Sequence, residues 1–143
     1  MRKTIKIIAL LLVVATVFAV PVHGTDMEDR ASAYFMTSTA SIDKVSSLRI
    51  EAGFIVGAYG IMDELGASSI KIQRSLDGNN WTTMKTFSKE DYSQLICENT
   101  ASHGASVTYI GSAGYYYRAK ITLYAKQGAG IGEAIHYTNK IQL

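Results

Sequence analysis

The stretch Gly114–Gly128, GYYYRAKITLYAKQG, decides how the chain is read. After three consecutive tyrosines, polar or charged Arg118, Lys120, Thr122 and Lys126 alternate with apolar Ala119, Ile121, Leu123 and Ala125. A repeat of two belongs to a β-strand with one face in a core and one in solvent; a helix repeats every 3.6 residues. Either the tyrosines mark a binding surface or they form the middle of a packed sheet.

The same repeat recurs on both sides. Leu48, Ile50, Ala52, Phe54 and Val56 share one side of a strand expected to turn near Gly57 or Gly60, after a weaker Ser- and Thr-rich strand over Tyr34–Ile42. Ser68–Phe87, SSIKIQRSLDGNNWTTMKTF, reads as a hairpin. Ile70 and Ile72 face inward there, Asp77-Gly78-Asn79-Asn80 supplies turn residues that tolerate positive φ, and Trp81 opens the return strand. ASVTYIG (Ala105–Gly111) and EAIHYTNKIQL (Glu133–Leu143) add further short strands, and Ser88–Ala105 reads as a long link. The expected fold is all-β, a single antiparallel β-sandwich of about seven strands.

The N-terminus is of another kind. Arg2, Lys3 and Lys6 precede an apolar run from Ile7 to Val20, and Val22-His23-Gly24 follows it. A basic head, an apolar run shorter than the roughly 20 residues of a bilayer span, and small residues after it describe a secretory signal peptide. Residues 1–24 are the expected leader, with a cut after Ala19 as the alternative, and residues 25–143 the domain. No cysteine follows the run to carry a lipid anchor. The expectation is a secreted, extracellular protein with no stable membrane insertion after cleavage.

Removing that leader changes the charge. Without its three basic residues, 11 Lys and Arg face 12 Asp and Glu, a net charge of about −1 in place of the whole chain's +2. Whole-chain charge therefore gives no argument for nucleic acid as a partner. The single cysteine, Cys97, cannot close an internal disulfide and reads as a small apolar filler.

Three segments carry a resemblance. IQRSLDGNNWTTM (Ile72–Met84), YYYRAKITLYA (Tyr115–Ala125) and HYTNKIQL (His136–Leu143) resemble the C to C′ hairpin, F strand and G strand of bacterial fibronectin type III domains, a fold of immunoglobulin-like type. The resemblance covers Ser68 to Leu143. It implies that Tyr117, Ala119, Ile121, Leu123 and Ala125 point into the core, with the Tyr117 hydroxyl bonded to backbone as in a tyrosine corner. Tyr116, Arg118, Lys120, Thr122, Tyr124 and Lys126 would then point outward, flanked by Lys71 and Gln73 on one side and His136, Thr138 and Lys140 on the other.

Lys71, Arg118, Lys120, Lys126 and Lys140 would thus share one face with Tyr116 and Tyr124, while most acidic residues lie elsewhere. Such a face suits a secreted, non-catalytic binding module whose partner is an anionic envelope polymer, polysaccharide or acidic protein; alternatively the lysines only keep an exposed sheet from pairing. A second expectation is a carbohydrate module using Asn79, Asn80 and Trp81. A third, of another class, is a cysteine-dependent enzyme built on Cys97 and His103.

Catalytic motifs are sparse. Only His103 and His136 follow the leader, no Gly-x-Ser-x-Gly elbow occurs, and adjacent Asp63 and Glu64 would point to opposite sides of a strand. GAGIG (Gly128–Gly132) lacks the lysine of a phosphate loop and reads as a hairpin loop with Ile131 near its tip. Asp77–Asn80 has too few carboxylates for a calcium loop. No metal or other cofactor is expected.

Overall fold

A computed structural model of the chain describes residues 33–143; the expected leader and its cleavage site lie outside the described residues. Seven strands follow in order: β1 (Phe35–Lys44), β2 (Arg49–Ser75), β3 (Thr82–Ser88), β4 (Ile96–Ile110), β5 (Tyr116–Gln127), β6 (Gly130–Tyr137) and β7 (Ile141–Gln142). One 3-10 turn, Ser93–Leu95, precedes β4. All pairings are antiparallel, so the expected all-β antiparallel fold is the one observed.

The 27-residue strand β2 is the axis of the sheet. Its first half lies between β1 and β4, with Ala52 opposite both Ile42 and Val107. Its second half lies between β3 and β5, with Ile70 opposite both Phe87 and Ile121. β6 extends the sheet beyond β5. Between the halves the pairing with β4 jumps from Gly57–Ser102 to Met62–Thr100, and the extra residues on β2 form a bulge. Bulges bend a strand and increase its twist, which curls the sheet so that the inner faces of both halves share one core.

That core holds Ile50, Val56, Leu65, Ile70, Ile72, Tyr117, Ile121 and Leu123, all nearly or fully inaccessible. The alternation read in β5 is therefore the observed one. Tyr117 is fully buried, and its hydroxyl accepts a hydrogen bond from the Ser112 backbone N–H at 2.8 Å. The ring runs so close to Gly111 that a Cβ there would lie 2.8 Å from the Tyr117 hydroxyl oxygen, which calls for glycine at that position.

Three local expectations are corrected. The chain does not turn near Gly57 or Gly60 but continues through the bulge as one strand. Leu48 does not join the apolar face; it sits before β2, 42 % exposed, its carbonyl accepting from the Gly111 N–H. Much of Ser88–Ala105 is strand β4, whose outward residues Ser102, Gly104, Ser106 and Thr108 give little apolar contrast. The Asp77–Asn80 turn is as expected, with Gly78 at φ +75°.

Candidate functional site

The outer face of β2, β5 and β6 is arranged in cross-strand rows, because directly paired residues share a face. Lys71 stands opposite Lys120, which stands opposite Tyr137. In the next row Gln73 stands opposite Arg118, and beyond it Ser75 opposite Tyr116. Toward the other end come Thr122 with Ile135, Tyr124 with Glu133, and finally Lys126 between Glu64 and Ile131.

Arg118 is the centre of this face. Its guanidinium carbon lies 4.4 Å from the Trp81 ring centroid and 4.5 Å from that of Tyr137, and its Nε donates to Gln73 Oε1 at 2.8 Å. Both aromatic contacts are cation–π interactions, worth about 0.5–2 kcal/mol each depending on desolvation. Lys120 Nζ lies 5.9 Å from the same Tyr137 ring, and Lys140 Nζ lies 5.4 Å from the Tyr116 ring.

No carboxylate among the described residues gives such relief. Among the described residues the one side-chain ion pair is Lys89 with Glu64, at 3.7 Å, so Lys71, Arg118, Lys120 and Lys140 have no acidic partner within 4 Å. Like charges directly opposite on neighbouring strands repel. The face therefore presents three contiguous cations, Lys71, Lys120 and Arg118, with Lys140 at its end and aromatic rings between them.

Not every residue expected on this face contributes to it. Lys126 lies apart, opposite Glu64. Tyr124 has the outward parity but is only 6 % exposed, because Lys89 roofs its ring at 3.8 Å. His136 and Thr138 do not point outward. His136 pairs with Ile121 and hydrogen-bonds Ser38 of β1 at 3.1 Å, and Thr138 is buried with its hydroxyl accepting from the Ala119 N–H. Ile135 and Tyr137 take the outward places. The phase is opposite because the chain departs from regular pairing after Tyr137, where the Thr138 N–H and hydroxyl both address Ala119.

The Asp77 turn is closed upon itself. Asp77 Oδ1 accepts from the Asn79 and Asn80 backbone N–H groups and the Ser75 hydroxyl, and its Oδ2 accepts from the Asn80 side-chain amide. These bonds, those from the Asn80 and Asn79 backbone first, hold the carboxyl well below the usual carboxylate range. Of the residues expected to contact sugar, Asn80 has its amide committed to Asp77 and Trp81 has Arg118 against its ring.

Cys97 and His103 serve different neighbours. Cys97, half-buried opposite Leu65, directs its thiol at the Glu98 carbonyl at 3.7 Å. His103 donates from Nε2 to the Gln94 carbonyl at 2.8 Å and stands edge-on to Phe54. A shallow depression of about 370 Å³ lies beside Glu64, Lys89, Glu90 and Glu98, at the end of the sheet away from Arg118. Among the described residues no group of three or more His, Cys, Asp or Glu side chains could hold a metal ion. No described helix is long and apolar enough to cross a membrane.

The chain matches no protein-family model, and no curated protein matches it significantly.

Proposed function

We propose that the chain is an exported, non-catalytic binding module that docks an anionic polysaccharide of the cell envelope through the outer face of β2, β5 and β6. The observation that carries this reading is the pairing of Lys71 with Lys120, beside Arg118, with no carboxylate among the described residues within 4 Å. An anionic chain lying along these rows relieves their mutual repulsion. Export rests on the basic head and apolar run of residues 1–24.

The finer fold reading is a fibronectin-III-like sandwich. It is supported by the change of partners along β2, which are β1 and β4 over its first half and β3 and β5 over Ser69–Arg74, with β4 and β5 together flanking Glu64–Gly66 where the sheet curls. The buried Tyr117 with its backbone-bonded hydroxyl supports it too.

Binding of the protein to immobilised polygalacturonate, polyglutamate and neutral dextran tests the functional reading. Retention on polygalacturonate is expected. Preference for polyglutamate would turn the reading toward an acidic protein, and retention on dextran alone would overturn the anionic partner.

A further inference from the structure

We infer that β6 is an edge at which two copies of this chain pair, antiparallel, with the two Ile135 residues opposite each other. This inference is independent of the polysaccharide reading, since it rests on the strand's edge. β6 pairs only with β5, in unbroken register from Lys120–Tyr137 to Gln127–Gly130, so its other side is unpaired among the described strands.

Sheet edges are ordinarily protected by bulges, lysines or prolines. β3 carries Lys85 and faces a register shift between Ile72 and Gln73. β1 has a shift between Phe35 and Thr37 and charged Asp43 and Lys44 at its end. β4 pairs without a break from Ser102 to Ile110, but its outward Ser102, Gly104, Ser106 and Thr108 are small and polar. β6 has no bulge, lysine, arginine or proline, and its outward Ile131, Ile135 and Tyr137 are 50 %, 57 % and 52 % exposed.

The charges choose the partner and the register. A twofold antiparallel pairing keeps side chains on their proper faces only when a residue pairs with itself. Centred on Glu133, it would set two carboxylates opposite each other. Centred on Ala134, it would place Glu133 opposite Ile135, in the row of Thr122 and away from the lysines. Centred on Ile135, it joins two β-branched side chains and sets Glu133 of the second copy opposite Tyr137, in the row that holds Lys71 and Lys120. The second copy thus supplies the carboxylate that this row lacks among the described residues. Both outer faces then point the same way in one continuous sheet.

A single strand pairing buries less than the roughly 1,200 Å² of a stable interface, so a weak, concentration-dependent dimer is expected. Sedimentation of the mature chain over a concentration series should show the dimer, and Ile135→Lys should remain monomeric with an unchanged unfolding temperature. Cross-linking tests the register. In a Cys97→Ser background, Ile135→Cys should form an intermolecular disulfide under mild oxidation, because opposed Cα atoms lie about 4.5–5.5 Å apart, within disulfide range. Tyr137→Cys, which keeps Glu133, should not, because the two copies of that position stand more than about 13 Å apart. A chain monomeric at every concentration, a dimer indifferent to Ile135→Lys, or Tyr137→Cys cross-linking as readily as Ile135→Cys would each overturn the inference.

Discussion

Lys71 and Lys120 stand directly opposite each other on β2 and β5, and among the described residues neither has a carboxylate within 4 Å. Two like charges in that position oppose the strand pairing that holds them. Lys120→Gln is therefore expected to leave stability unchanged or raise it by about 0.2–1 kcal/mol. Urea unfolding checks this; a clear loss of stability would mean that Lys120 contributes more through the Tyr137 ring than it costs through Lys71.

Arg118 behaves differently although it neighbours the same lysines. Its two ring contacts and its bond to Gln73 make it part of the packing, so Arg118→Gln should cost about 1–2 kcal/mol. Arg118→Lys should recover only part, because an ammonium cannot lie flat between two rings. The fluorescence of Trp81 should change in both variants, and an unchanged spectrum would contradict the stack.

The two adjacent tyrosines of β5 should separate sharply. Tyr117→Ala is expected to cost about 3–5 kcal/mol as a buried aromatic truncation, and Tyr116→Ala under about 1. Tyr117→Phe isolates the bond to the Ser112 N–H and should cost about 1 kcal/mol. Equal losses for the two alanine variants in thermal unfolding would mean that the faces of β5 are exchanged.

Asp77 gives the hairpin a pH dependence whose sign follows from its bonds. Its folded carboxyl is held below the ordinary range by the Asn80 and Asn79 N–H groups, so the unfolded state binds the proton more readily. The stabilisation is complete above the ordinary carboxylate pKa of about 3.9 and is lost as pH falls below it toward the folded value. The gap in melting temperature between the parent and Asp77→Asn should be constant near neutrality and narrow in acid. A gap independent of pH would contradict the network.

Much of this was legible in the residues because the forces concerned are local. The alternation of Ala119, Ile121, Leu123 and Ala125 yields their burial directly, and Asp77-Gly78 announces its turn through side-chain bonding and the positive φ of Gly78. The missed features depend on contacts distant in the chain. β4 shows little apolar alternation, since its outward residues are small and Val107 is its one buried residue. The phase of β6 depends on how Thr138 bonds to Ala119, which no period reveals.

The candidate face divides in the same way. Lys71 opposite Lys120 and Gln73 opposite Arg118 follow from strand order and parity, and these neighbours were expected. Trp81 and Tyr137 around Arg118 were not, because they come from a turn and an edge strand that meet only in the folded chain. Tyr124 has the outward parity but is covered, because Lys89 reaches over it from beyond β3. A period assigns a side chain to a face but does not show what lies over it.

The salt dependence of polygalacturonate binding, measured in parallel for the parent and for Lys71→Gln/Lys120→Gln, tests the docking face most directly. Screening shortens the reach of exposed charges from about 10 Å at 0.1 M salt to about 3 Å at 1 M. The parent is expected to bind and to lose affinity steeply over that range. The double variant should bind weakly, with a shallower salt slope and no loss of melting temperature. Equal affinity and slope in the two proteins would contradict an anion-docking role, leaving the paired lysines as solvated residues of an exposed sheet.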